Sequence, residues 1–200
     1  MVLPISISAQ DSYPQVQNPP KSPHTLNHGE IGIYGDLFRV PGSGGGSNVN
    51  FLGLGGRVGF NVHPNVALEA EMNYDFEKNY TAVSSTGGTS TTVRTGIRPL
   101  TGLFGPKFQV GTSGPVRAFV TGKVGFIEFS RSGSAASSTT FANSFDQFGN
   151  GNTYFAAYPG GGLEFFLGPI GIRAEAGDEL YANNGIRNQL RVTFGPSIRF

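Results

Sequence analysis

The sequence predicts an all-β chain, closed as an eight-stranded antiparallel up-and-down transmembrane β-barrel. Three observations carry that prediction: apolar residues recur with a period of two, charge is scarce without any long apolar run, and connections alternate between short and long. Charged residues are 14% of the chain, against roughly 25% in soluble domains. Hydrophobic residues are nevertheless only 38%, and no run approaches the ~18 apolar residues of a membrane helix. Apolar residues spread singly along strands account for both facts. The chain has 31 Gly, 17 Phe and 7 Tyr, with neither Trp nor Cys, so cysteine usage leaves the redox compartment open. A net charge of +1 gives no reason to expect a nucleic-acid partner.

The elements follow in order. Met1–Gln10 (MVLPISISAQ) reads as the residual end of a secretory signal peptide, residues 1–9, cut after Ala9, although a basic start is lacking. Residues 10–28, rich in Pro, Gln and Asn, form a flexible periplasmic lead-in, and the barrel occupies 29–200. Strand one alternates over Glu30–Leu37, and strand two runs from Phe51 to Val62 after a Gly-rich loop. After the turn His63-Pro64-Asn65, the third strand sets Val66, Leu68, Ala70, Met72, Tyr74 and Phe76 on one face. Glu69, Glu71, Asn73, Asp75 and Glu77 take the other. A Ser/Thr/Gly-rich stretch, 78–96, reads as a loop. Strand four follows, to Val110, and strand five starts at Val116 after a short turn. The longest loop covers 130–152, with Phe141, Phe145 and Phe148 among Ser, Thr and Asn. Strands six (Thr153–Leu167) and seven (Ile170–Tyr181) are joined by Gly168-Pro169, and strand eight spans Asn188–Phe200. Connections after strands two, four and six are thus short, and the others long and polar. Transmembrane barrels have that asymmetry, with short periplasmic turns and long external loops.

Two short turns fix register. If Val62 faces Val66, Arg57 falls opposite Glu71; if Leu167 faces Ile170, Glu164 falls opposite Arg173. Opposite charges paired on the polar face suit an enclosed lumen. On the apolar face, charge occurs only near loop ends, at Arg39, Arg98 and Glu128, where it costs little compared with ~2–4 kcal/mol at a bilayer midplane. Aromatic residues mark both ends of that face. The apolar face is therefore assigned to lipid, and the alternative is a soluble ligand-binding barrel with that face inward.

The expected lumenal ion-pair network comprises Arg57, Glu69, Glu71, Asp75, Lys107, Arg117, Lys123, Glu164, Arg173 and Glu175, joined by Arg191 and Arg199. Glu69, Glu71 and Asp75 would suit a hard cation, but bases interleave with them, so neither a metal nor a cofactor is expected. His24, His28 and His63 lie in the lead-in and a short turn, away from any nucleophile and acid at the outer rim, so catalysis is not expected.

Val192-x-Phe194-x-Pro196-x-Ile198-x-Phe200 resembles the C-terminal strand by which the barrel-assembly machinery recognises its clients, and Gly29–Phe200 resembles the small OmpA/OmpX-like outer-membrane barrels. The resemblance implies a bacterial outer-membrane location, lipid around the wall, that machinery as a partner and a monomeric state. It also implies a structural or surface-interaction role, exerted through 78–96 and 130–152 on a side-chain-filled polar lumen. The alternative role is a narrow channel or transporter for small solutes, hydrophobic ones included. Pro106, Pro159 and Pro196 depart from the pattern, because proline withholds a ladder hydrogen bond. At 106 and 196 a rim bulge is the expected accommodation.

If the terminal motif directs assembly, Phe200→Asp should abolish heat-modifiable folding in the outer membrane, whereas the same change at Phe145 should leave it intact. Normal insertion of the Phe200 variant would remove the motif's role.

Overall fold

The computed structural model describes residues 28–41, 48–86, 89–111, 114–132, 153–183 and 185–200. The expected signal-peptide end and lead-in, apart from His28, lie outside the described residues, as does most of the 130–152 loop with its three phenylalanines. Among the described residues nine strands are present: β1 (Gly29–Val40), β2 (Val49–His63), β3 (Val66–Asp75), β4 (Lys78–Thr86), β5 (Thr89–Val110), β6 (Val116–Ser132), β7 (Thr153–Leu167), β8 (Ile170–Ala182) and β9 (Ile186–Arg199). All pairings are antiparallel between neighbours, and β1–β9 and β3–β5 pairing closes the ring. Eight strands make the wall. The ninth, β4, continues β3 after a break at Phe76-Glu77 and pairs only with the upper half of β5, from Lys78↔Ile97 to Thr86↔Thr89.

That ribbon corrects the reading of 78–96 as a loop. Ser and Gly are turn-formers, but the threonines among them are β-branched and favour extended backbone. A second correction lies at the first short turn. His63, not Val62, faces Val66, and an irregularity between Asn61 and His63 absorbs one residue, so that Asn61↔Ala67 and Arg57↔Glu71 keep the inferred register. Asn65 braces this turn by donating its side-chain amide to the Gln109 carbonyl at 2.8 Å. The second inferred register, Leu167↔Ile170 and Glu164↔Arg173, is as the structure has it.

The prolines are not at bulges. Each sits at a two-residue interruption in one ladder, across which the register resumes unchanged. Pairing of β5 with β6 lapses between Phe104↔Val124 and Lys107↔Thr121, at Gly105-Pro106. Pairing of β7 with β8 lapses at Tyr158-Pro159, and that of β1 with β9 at Gly195-Pro196. A residue with no N–H is accommodated where the ladder already lacks a bond.

Alternation sends the two faces to opposite environments. Leu54, Met72, Val120 and Leu167 stand outside, Leu167 71% exposed, while Arg191 and Glu179 are fully enclosed. An inward apolar face, as a soluble ligand-binding barrel requires, is thereby contradicted. Inside, several glycines make room for flat rings. A Cβ on Gly55 would lie 2.3 Å from the Tyr34 ring, one on Gly162 2.8 Å from Phe119, and one on Gly177 2.6 Å from Tyr158. Outside, Gly56 is open, with nothing nearer than 4.0 Å. Adjacent glycines on opposite faces should therefore respond differently. Gly55→Val should abolish folding or lower the heat-modification midpoint markedly, while Gly56→Val should change stability by no more than about 0.5 kcal/mol. Equal effects would show that the two faces are misassigned.

Candidate functional site: the lumen

Inward positions of all eight wall strands meet in the lumen, and their chemistry changes along its axis. At the waist, Arg57, Lys107, Lys123 and Arg173 meet Glu69, Glu71, Glu164 and Glu175, four cations against four carboxylates. Arg173 is the hub. Its guanidinium reaches Glu69 at 2.6 Å, Glu175 at 2.6 Å and Glu164 at 3.0 Å, so both of its edges are used. Lys107 holds Glu164 at 2.7 Å and Glu69 at 3.1 Å. Lys123 holds Glu71 at 2.8 Å and Glu175 at 3.2 Å. Arg57 pairs with Glu71 across the β2–β3 hairpin at 3.0 Å and with Glu175 at 3.1 Å. Such charge-assisted bonds are stronger than neutral ones, and each ion here is enclosed and would be costly unpaired.

Aromatic faces support the cations. Arg173 lies 4.0 Å from the Phe119 ring centroid, Arg57 4.7 Å from Tyr34, and Lys123 5.5 Å from Tyr158. These are the rings that come within 2.8 Å of where a Cβ on an inward glycine would stand. The wall is thus built as glycine, ring, cation and carboxylate from strand to axis.

Toward the long connections the balance changes. Arg191 gathers Glu179 at 3.1 Å and Asp36 at 3.3 Å, and Asn73 donates its amide to Asp36 and, at 3.2 Å, to Asp75. Thr101 donates to Glu179 at 3.1 Å. Above this layer the lumen turns apolar. Phe38, Val40, Phe51, Ile97, Ile127, Phe129, Ala156 and Tyr181 form one buried cluster, with Phe129 and Tyr181 rings 5.4 Å apart. At the short-turn end, Arg199 stacks on Phe166 at 3.3 Å and Arg117 lies 5.4 Å from the same ring.

The structure brings together Arg57, Glu69, Glu71, Lys107, Lys123, Glu164, Arg173 and Glu175. It places two other candidates elsewhere. Asp75 takes its bond from Asn73 in the upper layer, and among the described residues no salt bridge reaches it. Arg117 sits at the lower end against Phe166. The expectation of a polar lumen throughout is corrected by the apolar upper cluster. Asp36, Glu179 and Glu30, which approaches Lys107 at 3.7 Å, were not in the sequence-derived network. Parity along strand one marks Glu30 and Asp36 as inward, and parity with Arg173 and Glu175 marks Glu179 as the inward one of the adjacent acids Asp178-Glu179. Asp178 faces outward and accepts the Gln189 backbone N–H at 2.9 Å. Of the terminal motif, Val192, Phe194, Ile198 and Phe200 all point out of the barrel. Phe200 also closes the seam, donating its N–H to Gly29 O at 3.0 Å and accepting from His28 at 2.8 Å.

No family model matches this sequence, and neither does any curated protein. Solved structures do. Ail, the attachment invasion locus protein of Yersinia pestis, superposes with a TM-score of 0.55 at 14% identity, covering 87% of this chain and 99% of Ail. Neisserial surface protein A gives 0.54 at 9% identity over 88% and 99%. The outer membrane protein OprG of Pseudomonas aeruginosa gives 0.51 at 11% identity over 88% and 97%. At these identities the likeness is one of fold. The chain has the eight-stranded barrel fold of these outer-membrane proteins, with a wall that is apolar outside and charged inside, as a barrel set in lipid requires.

Because Arg173 holds three carboxylates at 3.0 Å or less, Arg173→Ala should lower stability by about 3–5 kcal/mol. Pairing it with Glu69→Gln should recover part of that loss, since a carboxylate then no longer lacks its counter-charge. Additive effects in urea titrations of the refolded protein would mean that solvent screens the network.

Proposed function

We propose that this outer-membrane barrel is a structural and surface-interaction protein that works through its external connections and not through its lumen. The observation that carries the reading is the stack filling the lumen: a guanidinium–aromatic layer below, a neutral ionic waist, and an apolar cluster above. An interior of eight strands is just wide enough for side chains to fill, and here large ones, Arg191, Tyr158, Lys107 and Phe129 among them, are fully enclosed. The β4–β5 ribbon supports the same reading, since its pairing carries the sheet past the end of β3 at Asp75, as far as Thr86↔Thr89. The long connection 130–152 is the second surface this proposal assigns to a partner. The motif ending at Phe200 is assigned to the barrel-assembly machinery, and the barrel is proposed to act as a monomer. The reading includes no catalytic role: His28 and His63 lie at the short-turn end, far from the ribbon.

Planar-bilayer recordings test the proposal against a narrow channel or transporter. The purified protein should give no steady conductance, and Arg191→Ala or Phe129→Ala should be needed to open any. Steady conductance in the unaltered protein, changed in size or selectivity by Glu71→Gln, would overturn the filled-lumen reading in favour of a channel.

A further inference from the structure

The charges of the lumen do not balance, and the imbalance has a place. Among the described residues, the buried charged side chains are six cations and seven carboxylates. Four of each meet at the waist, and Arg117 lies below it. In the layer above, the buried cation is Arg191, and it stands among Asp36, Glu179 and Asp75. Arg191 commits its guanidinium to Asp36 at 3.3 Å and Glu179 at 3.1 Å, and also approaches Glu71 of the waist at 3.5 Å. Asp75 is left over.

Asp75 is 1% exposed. Its Oδ2 accepts a hydrogen bond from the neutral amide of Asn73 at 3.2 Å, and the same amide nitrogen donates to Asp36. Two carboxyl groups thus share one amide nitrogen. The other oxygen of Asp75, Oδ1, lies 2.6 Å from where a Cβ on Gly53 would stand and has no hydrogen-bond partner among the described residues. Asn73 is also 1% exposed, and its Oδ1 is likewise without a partner there. Two enclosed oxygens, on neighbouring inward positions of β3, therefore lack a hydrogen. The charged groups facing Asp75 are Asp36 from β1, Glu179 from β8 and Arg191 from β9. Opposite it β2 offers Gly53, and β5 offers Thr101, whose hydroxyl goes to Glu179. Glu77 and Lys78, beyond the end of β3, are exposed. An enclosed carboxyl beside another, supported by a neutral hydrogen bond, is poorly placed to carry charge. A metal ion is a poor remedy, since hard cations take six or more oxygens and no group of three acids or histidines among the described residues is arranged to hold one.

We propose that Asp75 is a proton-binding site: the folded barrel holds its carboxyl as the neutral acid, with the proton taken up from water as the barrel closes. One proton turns Asp75 into an O–H donor in a layer short of donors. It also leaves six buried carboxylates for the six buried cations. The inference concerns the lumen alone and is independent of which partner the external connections take. In an unfolded chain an aspartyl carboxyl loses its proton near pH ~3.9. Above that, the folded barrel binds one proton more than the unfolded chain. Its stability therefore falls as the pH rises, by up to about tenfold in the folding equilibrium constant per pH unit, until the folded state releases the proton too.

The test is infrared spectroscopy of the folded protein at neutral pH, in a detergent without ester groups. The unaltered protein should show the carbonyl band of a carboxylic acid, distinct from carboxylate bands. That band should shift when the protein is made with carboxyl-isotope-labelled aspartate, and it should be absent from Asp75→Asn. Asp75→Ser serves the same purpose if Asp75→Asn fails to fold. Urea titrations from about pH 5 to about pH 9 supply the second readout. The midpoint of the unaltered protein should fall with rising pH and be indifferent to a chelator. Asp75→Asn, which keeps the shape without the charge, should flatten that fall and be at least as stable at the alkaline end. No labelled acid band, a band that survives in the Asp75 variants, or an Asp75→Asn barrel less stable at the alkaline end would each overturn the proposal. So would a midpoint that drops on adding chelator, by showing a metal ion in place of the proton.

Discussion

The constraint on which the rest of this molecule depends is that a wall facing lipid must turn its charge inward and neutralise it there. Outside, a midplane charge costs a few kcal/mol; inside, an unpaired one costs more, because water is excluded. The waist meets both demands. Four cations and four carboxylates share contacts of 2.6–3.4 Å, and most of them serve two or more partners. The pairing is not confined to neighbours on a hairpin. Arg173 on β8 reaches Glu69 on β3, and Lys123 on β6 reaches Glu71 on β3, so the network ties opposite sides of the ring. It also favours one circumference, since adding or removing a strand would separate these partners.

Composition follows from the same constraint. Long cationic side chains need backing to stand upright in a narrow lumen, and rings supply it. A ring comes this close to the wall only where the strand beneath has no side chain. Hence Gly55 under Tyr34 and Arg57, and Gly162 under Phe119 and Arg173. Such ring-on-glycine contacts also restore apolar packing over backbone that glycine leaves bare. Gly55 and Gly162, with Tyr34 and Phe119, thus serve as an internal scaffold for charge.

Much of the barrel was legible in the sequence because both faces advertise themselves. Period-two alternation in Val66–Phe76 assigned a strand and its two environments together, and short turns of two or three residues carried Arg57 onto Glu71 and Glu164 onto Arg173. What escaped did so for physical reasons. The ribbon at 78–96 is made of residues that serve turns and strands alike, and it stands clear of the apolar wall, so no alternating pattern reports it. The apolar upper lumen escaped because Phe38, Val40 and Phe51 share the parity of charged residues lower on the same strands. Parity reports the face but not the height. Contacts across the lumen, such as Thr101 with Glu179, come from strands distant in sequence, and hairpin arithmetic does not reach them.

The two ends of the lumen are closed by different chemistry, and the difference has a physical logic. Below, guanidinium groups stacked on Phe166 face the side where the turns are short and the chain is tightly held. Above, side chains that need no water seal the barrel where the long connections begin. An apolar seal there excludes water from the carboxylates around Arg191, which preserves the low dielectric on which their attraction to that guanidinium depends. It also sets an apolar layer, with the Phe129 and Tyr181 rings 5.4 Å apart, between the upper ends of the wall strands and the ionic waist. A barrel built this way can change its external face without rebalancing its interior.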